Sequence, residues 1–141
     1  MKSVKFFAID IDGTLTLNGN GALNLEALAK LRYLVKLGYK VIYVTGRSSL
    51  EAYALSVFGG TTHIAIGENG GVITTSPIEH TLLADKERCL MGLNLIAKKI
   101  KEVRQKPVFQ RMTEIVLERT FDINEGNKIF QENDLDLTLV D

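Results

Sequence analysis

The sequence predicts an α/β fold, a mainly parallel sheet in its first half followed by a smaller α+β second half. Three observations predict it. Short apolar runs at residues 4–9, 40–44 and 63–66 each stop at a polar, glycine-bearing turn, as strands buried on both faces of a parallel sheet do. Segments of helical spacing separate those runs, which gives the order βαβαβ and a right-handed crossover. The 141 residues, 45% of them hydrophobic, suffice for a core in one domain or in one domain with a partial second.

The first strand, residues 4–9, ends in Asp10-Ile11-Asp12-Gly13-Thr14. Asn18-Gly19-Asn20-Gly21 follows, and its Asn-Gly pairs suit a small hairpin. From Asn24, a helix N-cap, Leu25, Leu28, Leu31, Leu34, Val35 and Leu37 recur at helical spacing until Gly38. Residues 40–44 form the second strand, with Thr45-Gly46-Arg47 directly behind it. Ser48 and Glu51 make a capping box for a helix to about Phe58. The third strand, 63–66, runs into Gly67-Glu68-Asn69-Gly70-Gly71.

Composition shifts near Pro77, and the domain boundary is placed at residues 76–84, so that 1–80 form one unit and 81–141 another. In the second unit, Leu90, Leu93, Ala97, Ile100 and Val103 predict a helix over 85–105. Extended segments at 108–111 and 114–119, a short helix at 125–132 and a last strand at 135–140 complete the expectation. The lysines and arginine at 98–106 read as a solvated helix end.

Lys+Arg and Asp+Glu both count 17, so no overall field draws the chain to nucleic acid or to an anionic membrane. Any phosphate must be held locally. Cys89 is the only cysteine, which excludes an internal disulfide and a cysteine-built zinc cluster and suits a reducing compartment. No apolar run approaches the roughly 18 residues of a membrane span, and no secretory pattern opens the chain, so the expectation is a cytoplasmic protein. His63 and His80 lack metal-ligand spacing and receive no role.

The chemistry gathers at the strand ends. Asp10 and Asp12 project to one side while Ile11 enters the packing, so two carboxylates meet where open α/β sheets hold their ligands. Like charges that close call for a hard divalent cation, Mg2+ above all. With it, one carboxylate can attack phosphorus and the other can carry a proton. Gly13 and Thr14 can present amides to phosphate oxygens, and Thr45 and Gly46 end the neighbouring strand with a hydroxyl and an unhindered N–H. Each piece alone also fits a plain turn.

In this order, Asp10-Ile11-Asp12-Gly13-Thr14 and Thr45 resemble the first two motifs of the haloacid dehalogenase (HAD) superfamily of phosphatases. The segments 52–58, Gly67-Glu68-Asn69-Gly70-Gly71 and Thr120-Phe121-Asp122-Ile123-Asn124 are similar to those of its archaeal-type phosphoglycolate phosphatases. The resemblance implies a HAD-like Rossmannoid core, here partial, with a partial α+β cap, and a phosphoric monoester hydrolase of a small phosphorylated metabolite. It implies Asp10 as nucleophile and Mg2+ ligand, Asp12 as general acid/base and Mg2+ ligand through its carbonyl, and Thr45 as phosphoryl clamp. Arg111 is the expected cap residue for a substrate carboxylate, with Glu68 and Asn69 lining the entrance.

The family's later lysine and its Gly-Asp-rich motif find no match, and neither Lys128 nor Asp141 stands in a matching context. The expectation is therefore low activity from these residues alone. A second expectation is an exposed edge on the first strand, covered by self-association or by a complementary C-terminal polypeptide. Two other readings stay open at this point: a non-catalytic or split-enzyme interaction module, and a sugar-phosphate phosphatase.

Overall fold

The computed structural model describes residues 5–17 and 21–140, so Asn18-Gly19-Asn20, where a small hairpin is expected, Val4 and Asp141 lie outside the described residues. The chain divides into two compact units, Met1–Leu83 and Ala84–Asp141.

In the first unit, strand β1 (Phe6–Ile9) leads through helix α1 (Leu25–Lys36) to β2 (Lys40–Val44), and helix α2 (Ser49–Gly59) leads to β3 (Ala65–Gly67). Both helices start where the sequence places their caps. The Asn24 side chain accepts from the Ala27 N–H at 3.0 Å. The Ser48 hydroxyl accepts from the Glu51 N–H at 3.2 Å while the Glu51 carboxylate accepts from the Ser48 N–H at 3.2 Å. The α2 helix ends at Gly60, whose left-handed φ of 68° only glycine adopts without cost. An antiparallel bridge joins Thr16 to Leu23.

Strands β1, β2 and β3 pair in parallel, as the crossovers require. The sheet then continues with β4 (Val72–Ser76) and β5 (Glu79–Leu82), both antiparallel to their neighbours, in the spatial order β1-β2-β3-β4-β5. The sheet is thus mixed rather than parallel throughout. A short turn, Glu68–Gly70, joins β3 to β4, and so short a connection permits only an antiparallel return. The shift at Pro77, placed among the boundary residues by composition, is the turn of the β4–β5 hairpin. Four consecutive β-branched residues, Val72 to Thr75, are the signal for β4.

Register puts Ile9, Tyr43, Ala65, Thr74 and His80 on one sheet face. Both helices cover that face: Ala27, Leu28 and Leu31 of α1 and Ala52, Tyr53 and Leu55 of α2 join Ile9, Tyr43 and Ala65 in one core cluster with Ile11 and Leu15. Two right-handed crossovers running the same way along the sheet lie on the same side, which explains the shared face. On the opposite face Ile42, Val44, Ile66 and Ile73 are half-buried, Ala8 is exposed and Phe6 is 63% exposed.

The second unit holds helices α3 (Lys86–Ala97) and α4 (Ile123–Glu132), which pack together. Ile96, Ile100, Val103, Ile129 and Phe130 form its core. The helix expected over 85–105 stops at Ala97. Ile100 and Val103 keep a helical spacing from Ile96 yet reach the core from the turn beyond the helix, where the Arg104 Nη1 donates to the Lys101 and Val103 carbonyls. Lys98 and Lys101, three apart, would repel on a continued helix.

The segments expected as strands at 108–111, 114–119 and 135–140 form no strand or ladder among the described residues; one bridge joins Gln105 to Leu117. Residues 135–140 still alternate like a strand, with Leu135, Leu137 and Leu139 on the core and Asp136, Thr138 and Val140 exposed. A side chain takes the place of a neighbouring strand: the Asn127 Nδ2 donates to the Leu139 carbonyl at 3.1 Å, and the Leu139 N–H donates to Asn127 Oδ1 at 2.7 Å.

Candidate active site

The site forms where β1 and β2 end together. Ile9 stands opposite Tyr43 in the parallel register, so Asp10 leaves β1 beside Val44 and one residue short of Thr45. Ile11 is 3% exposed and belongs to the core, whereas Asp10 and Asp12 on either side of it are exposed. The chain then wraps tightly around one carbonyl: the N–H groups of Thr14, Leu15 and Thr16 all donate to Ile11 O, at 3.3, 2.9 and 2.9 Å. Gly13 sits at φ 76°, the conformation that makes this turn possible. Its N–H, expected to face phosphate, donates instead to Thr16 Oγ1 at 3.1 Å. Thr14 is exposed on the turn.

Thr45 is 4% exposed, its N–H donating to Ile66 O and its Oγ1 accepting from the Arg47 N–H at 3.2 Å. That acceptor role leaves the Thr45 hydroxyl proton to donate elsewhere. Gly46 lies between Thr45 and Arg47 with the Asn69 carboxamide against it.

Sequence reasoning left Arg47 without a role. Its Nε donates to Asp12 Oδ2 at 2.8 Å and its Nη2 to Asp12 Oδ1 at 2.7 Å, a planar fork on both carboxylate oxygens. The remaining Nη1 reaches Glu51 Oε1 at 3.3 Å, tying the fork to the capping box of α2. The hydrogen bonds from Arg47 hold the Asp12 carboxyl below the usual carboxylate range, its partial burial opposing them, and the same contacts raise Arg47 further above its ordinary value. The signal for it was its place directly after Thr45-Gly46, at the mouth of the same strand.

Glu68 and Asn69 were expected at an entrance. Glu68 is buried, 3% exposed, and both residues form the turn beneath Thr45-Gly46-Arg47. Arg111 lies in the second unit, where its Nη1 donates to Glu114 Oε1 at 2.6 Å and its carbonyl accepts from the Lys86 Nζ at 2.7 Å.

No group of three or more His, Cys, Asp or Glu side chains gathers into a metal site among the described residues. The Asp10 carboxylate and the Asp12 carbonyl are hard oxygen donors, the type Mg2+ takes, and Mg2+ commonly fills its remaining positions with water and substrate oxygens. The donors present therefore fit the ion in kind. Asp10 Oδ1 accepts from the Ile11 N–H at 2.8 Å, which fixes the direction of that carboxylate. No helix among the described residues is long and apolar enough to cross a membrane.

A mixed α/β sheet with paired aspartates leaving its first strand and a Thr-Gly-Arg loop leaving its second defines a class. The chain belongs to the haloacid dehalogenase-like hydrolase family, whose sequence model matches residues 7–138. Among curated relatives, it is 53% identical over 135 residues to a phosphoglycolate phosphatase of Nitrosopumilus maritimus, covering 96% of this chain and 58% of the relative. It is 38% identical over 128 residues to a phosphoglycolate phosphatase of Archaeoglobus fulgidus, covering 90% of this chain and 55% of the relative. The chain thus spans somewhat over half the length of these relatives. A crystal structure of a Thermoplasma acidophilum protein shares the fold with a TM-score of 0.78 at 22% identity, over 94% of this chain and 58% of that one. A haloacid dehalogenase-like hydrolase of Bacteroides thetaiotaomicron shares it with a TM-score of 0.62 at 20% identity, over 98% of this chain and 56% of that one.

Proposed function

We propose that this chain carries the nucleophile and phosphoryl clamp of a Mg2+-dependent phosphatase acting on a small phosphorylated metabolite of the phosphoglycolate kind. The observation that carries the reading is the fork of Arg47 on Asp12, which locks the loop after β2 to the turn after β1. The two sets of groups that phosphoryl transfer needs, a carboxylate nucleophile and donors for the transferring oxygens, are thereby held together.

Asp10 attacks phosphorus and the bond to the leaving oxygen breaks; for Asp12 to give that oxygen its proton, the Arg47 fork must open and the Asp12 carboxyl must be protonated. Water then attacks the aspartyl phosphate, yielding its proton to the Asp12 carboxylate, so that inorganic phosphate leaves and Asp10 is restored. Thr45 and the Gly46 N–H orient the phosphoryl oxygens. Mg2+, held by Asp10 and the Asp12 carbonyl, supplies positive charge against the phosphate. The second unit acts as a cap that selects the substrate, with Arg111 as the residue for its carboxylate.

The 141 residues contain no second cationic clamp in the family's sequence context, so their activity alone is low in this reading. The outer edge of β1, unpaired among the described residues, and the apolar face bearing Phe6, Ala8, Ile42, Val44, Ile66 and Ile73 support a covering polypeptide, either a second copy or a complementary C-terminal one.

Incubation with a radiolabelled phosphoester and Mg2+ followed by acid quenching tests the chemistry. Label on the wild-type protein and none on Asp10→Asn is the expected result. Equal labelling of both would exclude Asp10 as the nucleophile.

A further inference from the structure

Between β3 and β4 the chain makes an unusual turn. Glu68 and Asn69 are consecutive non-glycine residues, each at φ 54°, and Glu68 is buried as well. Asparagine tolerates this left-handed region; glutamate seldom enters it. A hairpin alone does not need it, because an Asn-Gly pair makes the same reversal with less strain. Such strain persists only where the surroundings enforce it, and it is concentrated at functional sites.

The surroundings here are the candidate phosphoryl clamp. The Glu68 N–H donates to Arg47 O at 2.8 Å and the Asn69 N–H to Thr45 O at 3.2 Å, so successive amides of the turn grip alternate carbonyls of the loop. Between them lies Gly46, where a Cβ would stand 2.9 Å from Asn69 Oδ1, closer than real contacts allow. At Gly67 a Cβ would strike the backbone of Ser49, the first residue of α2. The loop is therefore held at residues 45 and 47 by one strained turn, with Asn69 against Gly46 between them. An extended or right-handed backbone at Glu68 would turn the Asn69 amide away from the Thr45 carbonyl.

We propose that Asn69 is a positioning residue whose left-handed backbone and carboxamide, laid against Gly46, fix the loop so that the Thr45 hydroxyl is in the orientation that receives a phosphoryl group. This deepens the phosphatase reading and rests on it. Asn69 need not touch the substrate; it acts through the loop that does.

The test separates backbone from side chain. Asn69→Gly keeps the left-handed turn without strain and removes only the carboxamide, whereas Asn69→Ala removes the carboxamide and penalises the turn. Inorganic phosphate binding in the presence of Mg2+, followed by titration calorimetry, and urea denaturation midpoints are measured for both variants beside wild type. The expected result for Asn69→Gly is a midpoint at or above that of wild type with phosphate binding weakened about tenfold, since small misplacements of positioning groups carry losses of that order or more. Asn69→Ala is expected to lose both. The Asn69→Gly/Gly46→Ala double variant adds a readout that needs no binding: removing the carboxamide should restore most of the midpoint lost in Gly46→Ala alone. Phosphate binding by Asn69→Gly within twofold of wild type would overturn the proposal and leave the phosphatase reading standing. A wild-type protein that binds no phosphate would overturn both.

Discussion

Arg47 holds Asp12 by both carboxylate oxygens, across a sequence separation of 35 residues. A planar guanidinium meeting a carboxylate edge-on leaves that carboxylate little rotational freedom. Two loops from neighbouring strands are fastened by it, and the third guanidinium nitrogen on Glu51 extends the fastening to the start of α2.

The pair has a pH signature. The folded-state pKa of Asp12 is lowered, chiefly by the hydrogen bonds from Arg47, so the stability it contributes is present above the unfolded value, about 3.9, and is lost as pH falls through the lower folded value. Asp12 is half-exposed, which limits the contribution to about 0.2–1 kcal/mol and makes it sensitive to salt. Urea midpoints of wild type and Arg47→Gln are expected to differ at pH 7 in low salt and to converge below pH 4 or in high salt. A difference that stays constant with pH would assign the effect to packing.

The capping box at Ser48 is a local device with a local cost. Ser48 is fully buried, its hydroxyl 2.8 Å from Glu51 Oε2 and its N–H bonded to the same carboxylate. Ser48→Ala is expected to lose about 1 kcal/mol, read as a lower denaturation midpoint, with Ser48→Gly closer to wild type. Since Glu51 also receives Arg47, the Ser48 and Arg47 substitutions should be non-additive in a double-mutant cycle.

Gly67→Ala tests the close approach of β3 to α2. The added Cβ meets backbone, which cannot swing aside as a side-chain tip can. A loss of about 1–3 kcal/mol follows from overpacking of this kind, measured by urea denaturation. By contrast, a Cβ at Gly70 meets nothing within 4 Å, and Gly70→Ala is penalised only through its φ of 94°.

In the second unit, Asn127→Ala removes both partners of the Leu139 backbone. The expected outcome is a loss of about 1 kcal/mol and faster hydrogen exchange confined to residues 135–140. Protection of those amides unchanged in the variant would show that Leu135, Leu137 and Leu139 hold the segment by packing alone.

What the sequence made legible was local. Asn24, Ser48 with Glu51, and the strand-final turns at Asp10 and Thr45 all lie within a few residues of the features they produce. The β4–β5 hairpin escaped because Pro77 punctuates a turn and a domain boundary alike. The last turns of the expected 85–105 helix escaped because Ile100 and Val103 keep helical spacing although the chain has left the helix. The Arg47–Asp12 pair and the place of Glu68 beneath the clamp depend on strand register, which no local pattern specifies. Residues 135–140, expected as a strand from their alternation, keep that alternation of burial but form no strand, because the Leu139 backbone is held by the Asn127 side chain and not by a neighbouring strand.

The most direct measurement is inorganic phosphate release with Mg2+ across a panel of small phosphoesters, for wild type and for Asp10→Asn at matched concentration. Slow release by wild type, greatest for carboxylate-bearing phosphoesters such as phosphoglycolate, and background release by Asp10→Asn are expected. Equal release by the two proteins, or none by either, would contradict the phosphatase reading.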